Sequence, residues 1–381
     1  MVIVVQRVLT NYRAPLIREF QRQGHDVHMI SCCNTHLGKL THARTADGTT
    51  STHINLLPGF LERRGYYFSL SLPWQVLREP AELVILEGES NFLLNLVLVP
   101  LLLLQRKPYV WWTLGRPVGT RRTIRRRLAG WLLNWMLKMA DRVACYSTAG
   151  RDYIIEQGIP AARVMVAQNA LDPEFVLRGT ENAETLAGKF IHARRWQRRL
   201  RLAYVGAMNS DKRPQMLVEL AKAYRDHTAD ELGIIFVGDG PQRAACEELA
   251  SKLEVDAFFA GQQPPDLTAP YILAADAVVL TGLGGLAINH AMMLGRPVIS
   301  GPADGTEKDL ILDGQTGFYL DPLTSESLLA CVVNTNRDAL SRMGNNARQH
   351  VNRIAHLELL VQRLMGEGRH LGHPGQKMAA A

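Results

Sequence analysis

No two aspartates separated by a single residue occur anywhere in the 381-residue chain. The carboxylate pair that most simply holds a divalent cation against a diphosphate is therefore missing, and no metal is expected. No cluster of His and Cys has zinc-ligand spacing, and no Gly-x-Ser-x-Gly turn presents a nucleophilic serine. Cysteine is scarce: Cys32, Cys33, Cys145, Cys246 and Cys331 make an odd number without a Cys-x-x-Cys pair. That excludes a disulfide framework and predicts buried free thiols in a reducing compartment. The longest apolar run, 92–104, is interrupted by Asn95 and Pro100 and is too short for a membrane span. The first strand is too brief for the apolar core of a signal peptide, so a cytoplasmic chain is expected. Aromatic residues are 7% of the total and do not interleave with the basic ones at reading spacing, which argues against a nucleic-acid partner.

What is present is a globular composition, 47% hydrophobic and 21% charged, with length for two full cores. Forty-three Lys and Arg against 36 Asp and Glu leave a net charge of +7, which suits a phosphate-rich ligand or an anionic membrane surface. Strand and helix signals alternate throughout. The first half predicts strands at Val2–Val5, Asp26–Ser31, Leu83–Leu86, Tyr109–Trp112, Arg142–Cys145 and Val164–Val166. Runs such as LVIL and YVWW are continuously apolar, as in parallel sheets covered on both faces. The segment from Asn34 to Gly65 reads as a short strand and loops. The alternation restarts at Leu202, which predicts an α/β protein of two doubly wound, Rossmann-like domains facing a cleft. The expected boundaries are 1–190, 191–345 and a C-terminal helix with a frayed tail over 346–381, the last helices crossing back to the first domain.

The most informative stretch is Ala274 to Thr316. A strand, Ala277–Leu280, ends in the turn Gly282-Leu283-Gly284-Gly285, a helix follows, and a second strand starts near Pro297. Glycines let backbone approach a ligand, and a helix start offers unpaired N–H groups and a positive dipole end, which together suit a diphosphate. The turns at Gly206, Gly238, Gly261, Gly282 and Ala303 all fall at carboxyl ends of strands, the rim where such sheets bind ligands. Two arginine-rich stretches stand apart. One, 121–142, carries Arg121, Arg122, Arg125, Arg126 and Arg127 before Trp131 and Trp135; it reads either as a core helix with a solvated end or as an interfacial helix on an anionic membrane. The other, Arg194 to Arg201 around Trp196, reads as a hinge surface or a second basic contact.

Between Tyr204 and Phe318 the segments YVGAMNSDKRP, FVGDGPQR, FAGQQ, YILAADAVVL, GGLAINHAMMLGRPVI and DLILDGQTG follow in order. In that order the chain resembles a group-one (family four) glycosyltransferase of the GT-B fold. The likeness extends to YVWWTLGRP, ADRVACYSTAGRDYI and VAQNALD of the first half. It implies a nucleoside diphosphate sugar as co-substrate bound by the second domain, an acceptor at the first, no cofactor, and retention of anomeric configuration. Gly206 and Lys212 match the loop at the donor diphosphate, where a fixed cation stabilises the leaving group as charge develops. The N–H groups after Gly284 and Gly285 fall on the same phosphates, and Gly261 and Gln262 face the base. Asn209 and Gly238 lie in the same donor-binding loops, and Thr306 lines the pocket.

Four positions depart from the resembled pattern. Two glutamates eight residues apart are replaced by Gly282 and His290. His290 keeps the capacity for a ribose hydrogen bond, with a core histidine as the alternative, and Glu307 is assigned the missing sugar contact. Ala207 replaces an arginine, so Lys212 with Arg213 must supply the charge, and Leu114 stands where a histidine is usual. These departures keep two further readings open: an inactive nucleotide-sugar-binding partner subunit, and a sugar epimerase on the same fold. The expected acceptor is a glycan or lipid-linked sugar of surface polysaccharide synthesis, reached from the inner face of a membrane.

Overall fold

Strands form where apolar residues run without interruption, because a parallel strand covered by helices on both faces has no solvent side. The computed structural model of the chain describes residues 1–7, 13–31, 71–89, 93–115, 124–178, 180 and 182–367. Its contacts define two units, Met1–Ala167 with Glu358–Ala381, and Gln168–Leu357.

Unit 1 contains β1 (Val2–Gln6), α1 (Ala14–Arg22), β2 (Val27–Ser31), α2 (Ser71–Arg78), β3 (Leu83–Glu87), α3 (Asn95–Leu104), β4 (Tyr109–Thr113), α4 (Ile124–Met139), β5 (Arg142–Cys145), α5 (Thr148–Glu156) and β6 (Val164–Val166). The strands form one parallel sheet in the order β2-β1-β3-β4-β5-β6. The steps from β2 to β3, β3 to β4 and β4 to β5 run in one direction. Right-handed crossovers therefore place α2, α3 and α4 on the same face of the sheet. Leu72 and Val76 of α2, Leu98 and Leu102 of α3, and Met136 and Leu137 of α4 meet there in one core.

Unit 2 contains α6 (Pro173–Arg178), α7 (Ala183–Ala193), β7 (Leu200–Val205), α8 (Gln215–Thr228), β8 (Leu232–Val237), α9 (Arg243–Lys252), β9 (Ala257–Gly261), α10 (Pro265–Ala274), β10 (Ala277–Leu280), α11 (Leu286–Met293), β11 (Val298–Ser300), α12 (Thr306–Leu310), β12 (Gly317–Tyr319), α13 (Ser325–Val333) and α14 (Arg337–Ile354). Its parallel sheet runs β12-β11-β10-β7-β8-β9. The order reverses between β7 and β10, so the loops after these two strands flank a topological switch point, where open α/β sheets bind ligands. The last helix, α15 (Leu357–Met365), returns to unit 1 as expected. There Gln23 Nε2 donates to Glu358 O at 3.1 Å, and the Arg142 guanidinium donates to Met365 O.

Several details differ from expectation. Helices α2, α6 and α7 had no sequence signal: the first two span eight and six residues, and α7 buries only Ala183 and Ala187. The first boundary by contacts falls at 167 rather than 190. The reason is Phe190 of α7, whose ring meets Trp196, Phe258 and Tyr271 at 5.7, 4.9 and 5.7 Å, which ties the segment to unit 2. Three of the five arginines around Trp196 are tied to carboxylates, while Arg195 and Arg198 are exposed. Arg194 and Arg199 both bind Asp256, Arg199 also pairs with Glu231, and Arg201 pairs with Asp276 at 2.5 Å. On α4, Met136 and Leu137 are core residues while Trp131 stays exposed. Arg121, Arg122, the side chains of Arg125 to Arg127, Cys32, Cys33, the segment 34–65 and the tail beyond 367 lie outside the described residues. Among the described residues, Cys145, Cys246 and Cys331 are free thiols; burial raises them to about 12, 11 and 11. No helix among them is long and apolar enough to cross a membrane.

Candidate active site

The loops leaving β7, β8 and β9 are laced side by side. The Gly206 N–H donates to Val237 O at 2.9 Å, and the Gly238 N–H donates to Gly261 O at 2.8 Å. Met208 adds two bonds, its N–H to Asp239 O and its carbonyl from the Gln242 N–H, both 2.9 Å. The approach is so close that a Cβ on Gly238, whose φ is +145°, would stand 1.9 Å from Gly206 O. Only glycine satisfies both the backbone angle and the contact.

After Gly206 the chain makes a short turn, Ser210–Lys212, and Arg213 follows in the left-handed region with φ +44°. A two-way clamp holds that turn. The Arg213 guanidinium donates to Thr281 O through Nε and Nη2, at 3.1 and 2.9 Å. Thr281 Oγ1 in turn lies 2.5 Å from Lys212 O and 3.0 Å from Arg213 O. Arg213 is thereby committed to the end of β10, and Lys212 is the cation left at the switch point. Its Nζ is 3.4 Å from where a Cβ on Gly206 would be, and it makes no hydrogen bond or ion pair with any described residue. Burial lowers the lysine's pKa; the carboxylates of Asp211 and Asp304 oppose that shift.

Gly282 explains its own departure from the resembled pattern. A Cβ there would sit 2.8 Å from both Asp211 O and Lys212 Cα. The Lys212 turn occupies the space a larger side chain would need. Beyond it, Gly285 (φ +53°) opens α11 with no side-chain cap. Among the described residues the N–H groups of Leu283, Gly284, Gly285 and Leu286 have no acceptor. The site therefore combines an unpaired amine with a bare helix start, both favourable to an anion.

The other expected residues divide. Thr306 caps its own loop, its N–H and Oγ1 donating to Asp304 Oδ1 at 3.0 and 2.6 Å. Glu307 is only 2% exposed and its carboxylate turns inward, accepting from the Ala303 N–H at 2.6 Å and the Gly305 N–H at 3.1 Å. Burial raises its pKa, and those N–H groups pull it back. The carboxylate assigned to the sugar is instead occupied in shaping the loop. His290 sits on α11 at 7% exposure, and burial drops its pKa to about 4, so the ring is neutral at pH 7. Asn209 is half-buried just before the Lys212 turn and accepts the Lys212 N–H at 3.1 Å. Gln262 is exposed beside Gly261 on the same edge, and Arg243 Nη1 lies 3.1 Å from a Cβ position on Gly261. Sequence reasoning missed Thr281 and Arg243. Only Arg243 was signalled, by its place after the Gly238-Asp239-Gly240 turn. No group of three or more His, Cys, Asp or Glu able to hold a metal occurs among the described residues.

Comparison with known proteins agrees with this architecture. Residues 11–175 match the family model "Glycosyltransferase Family 4", and residues 199–338 match "Glycosyl transferases group 1". No curated protein sequence matches the chain. Among solved structures, HepE of Anabaena in complex with UDP-glucose is similar at 17% identity, with 96% of this chain and 98% of that chain covered and a TM-score of 0.67. Sucrose-phosphate synthase from Thermosynechococcus elongatus shares 17% identity over 96% and 97% at a TM-score of 0.68. WaaG, a glycosyltransferase involved in lipopolysaccharide biosynthesis, shares 15% over 96% and 98% at 0.67. With a family 4 match on its first part, a group 1 match on its second and GT-B neighbours along nearly its whole length, the chain belongs to the group 1 (family 4) glycosyltransferases.

Proposed function

We propose that unit 2 binds a nucleoside diphosphate sugar with its diphosphate between Lys212 and the start of α11, and that the sugar passes to an acceptor hydroxyl with retained configuration. The observation that carries this reading is the Lys212 amine, half-buried at the switch point with no hydrogen bond or ion pair to any described residue. A buried amine is unfavourable unless something anionic compensates it. In the transfer, the bond between the anomeric carbon and the phosphate oxygen breaks, and its electrons stay on the diphosphate. The acceptor oxygen bonds to the anomeric carbon from the same side and yields its proton to the departing phosphate. The ammonium and the free N–H groups meet the growing negative charge, so the reading needs no metal, and turnover in excess EDTA is expected. Glu307 contributes by holding the 303–305 backbone, and neutral His290 offers one ring nitrogen as donor and one as acceptor for a ribose hydroxyl.

HepE is seen with UDP-glucose, and WaaG is involved in lipopolysaccharide biosynthesis. By that likeness we place the acceptor among glycans or lipid-linked sugars carried at a membrane. The test is a screen of nucleotide sugars for thermal stabilisation, followed by release of nucleoside diphosphate with an acceptor mixture. Stabilisation without release would favour an inactive binding subunit. Consumption of donor without acceptor would favour an epimerase.

A further inference from the structure

The sheet of unit 1 has a switch point of its own. Its order reverses between β1 and β3: β2 lies on one side of β1, and β3 to β6 follow on the other. The loops leaving β1 and β3 are therefore where this sheet offers a ligand site. The first begins with Arg7, and the second brings Gly88 and Glu89 directly after Glu87.

The cations here already hold partners. The Arg7 N–H donates to Glu87 Oε2 at 2.7 Å, its Nε donates to Oε1 at 2.8 Å, and its Nη2 lies 2.6 Å from Oε1. Arg13 lies 4.0 Å over the Trp112 ring and donates to Tyr146 Oη at 3.2 Å. The loop after β3 is pinned along its backbone. The Gly88 N–H donates to Trp112 O at 2.7 Å, Asn95 Nδ2 to Glu87 O at 2.8 Å, and Thr113 Oγ1 to Gly88 O at 3.3 Å. Glu89 stands at the end of this pinned loop. It is half-buried and makes no hydrogen bond or ion pair with any described residue. Burial raises its pKa; Arg7 opposes that shift and Glu87 adds to it.

A second observation marks the same place. Val5, Leu86 and Trp111 belong to the core shared with α2, α3 and α4. Their successors Gln6, Glu87 and Trp112 therefore lie side by side on the opposite face, at the carboxyl end of the sheet. Gln6 is 2% exposed and Trp112 fully buried, yet Gln6 Oε1 and Trp112 Nε1, on either side of Glu87, have no hydrogen-bond partner. Asn95, also buried, leaves its Oδ1 unpaired behind the same loop. Buried polar atoms without partners are uncommon in a folded chain and call for an explanation. The chemistry is the reverse of the switch point in unit 2. There the open group is an ammonium; here it is a carboxylate, and the arginines beside it are engaged. A phosphate brought here would meet Glu87 and Glu89, two like charges. A sugar ring carries no charge, and its hydroxyls both donate and accept.

We propose that Glu89 is the specificity-determining residue for the acceptor, its two carboxylate oxygens accepting from adjacent hydroxyls of an uncharged sugar ring, so that the enzyme takes a glycan end and refuses a phosphate end. This deepens the reading of a glycan acceptor, on which it rests, and it is tested separately from transfer. The probes are methyl glucosides, galactosides and mannosides, offered to the full chain without nucleotide and followed by saturation-transfer NMR. Wild type and Lys212→Met should both bind at least one of them, and glycerol 3-phosphate should not displace it from Lys212→Met. Glu89→Gln keeps the shape and removes the charge, and should weaken that binding by about 10- to 100-fold. Glu89→Asp should recover part of it. The melting temperature of Glu89→Gln should not fall, because a desolvated charge beside Glu87 is lost, whereas a carboxylate with a purely structural role would be missed. With an acceptor in hand, Glu89→Gln should raise the acceptor KM by the same factor and leave the donor KM unchanged. Glu82→Gln, exposed at the other end of β3, should behave as wild type. The proposal is overturned if no glycoside binds, if Glu89→Gln binds them as wild type does, or if glycerol 3-phosphate displaces them from Lys212→Met. Nucleotide stabilisation, measured without glycosides, reports on the donor reading of unit 2 alone.

Discussion

Replacing Lys212 with methionine keeps most of the apolar stem and removes the charge. In the free protein the ammonium carries a desolvation cost, visible as its lowered pKa, and has no hydrogen-bond or ion-pair partner among the described residues. The variant should therefore be at least as stable as wild type in thermal unfolding. In the reacting complex the same charge faces a diphosphate. Two unit charges 4 Å apart attract by about 4 kcal/mol at an effective dielectric near 20. Removing one preorganised group of this kind lowers rates by roughly 100- to 1,000-fold. Lys212→Met should thus lose kcat by about two to three orders of magnitude with little change in the apo melting temperature. The pH profile adds a sign. A lysine with a lowered pKa loses its proton as pH rises toward that depressed value, so wild-type kcat/KM should fall on the alkaline side earlier than an ordinary lysine would dictate, and the variant should lack that limb. Steady-state kinetics with the donor found by screening, together with calorimetry of the apo proteins, measure both. A kcat within about threefold of wild type would refute the assignment, since no electrostatic term of the size argued would then be acting.

Three other perturbations address the remaining residues. Glu307→Ala strips the Ala303 and Gly305 N–H groups of their acceptor, and should destabilise the protein by about 1–3 kcal/mol in urea unfolding and weaken donor binding; unchanged stability would mean the loop does not need the carboxylate. Gly282→Glu, which restores the residue type of the resembled pattern, should lower activity, because its Cβ meets Asp211 O and Lys212 Cα at 2.8 Å and overpacking costs about 1–3 kcal/mol; a gain in kcat would show that the turn yields freely. His290, neutral in the fold with a pKa near 4, makes the protein lose stability as pH falls from about 6.5 toward 4, by up to about 3 kcal/mol. His290→Gln should flatten that loss, and an NMR titration placing the imidazole above pH 6 would contradict its burial.

Much of the fold was legible because its signal is local. LVIL and YVWW are apolar at every position, and a strand buried on both faces needs only that. The switch-point loops were legible for a similar reason: Gly206, Gly238 and Gly285 take backbone angles that glycine adopts most readily, and each follows a strand. Helices α6 and α7 were not legible, because what holds α7 is Phe190 against aromatic residues 6 to 81 positions away in the chain, beyond any window of periodicity. The pairing of Arg194, Arg199 and Arg201 was not legible for the same reason, since their partners Glu231, Asp256 and Asp276 come from distant strand ends.

The sequence by itself determined two parallel sheets, the order of their strand-ending turns and a lysine after the first turn of the second sheet. Tertiary structure alone decided what each charged side chain does. Lys212 and Arg213 are adjacent cations in the sequence, but Arg213 is bound to Thr281 O across the switch point while Lys212 is left open. Glu307 looks available in the sequence and is folded onto its own loop. Composition and spacing specify which elements form, because burial and backbone angle act residue by residue. Whether a charge is free for a ligand depends on which groups from other strands arrive within about 3 Å of it, and only the folded chain brings them there.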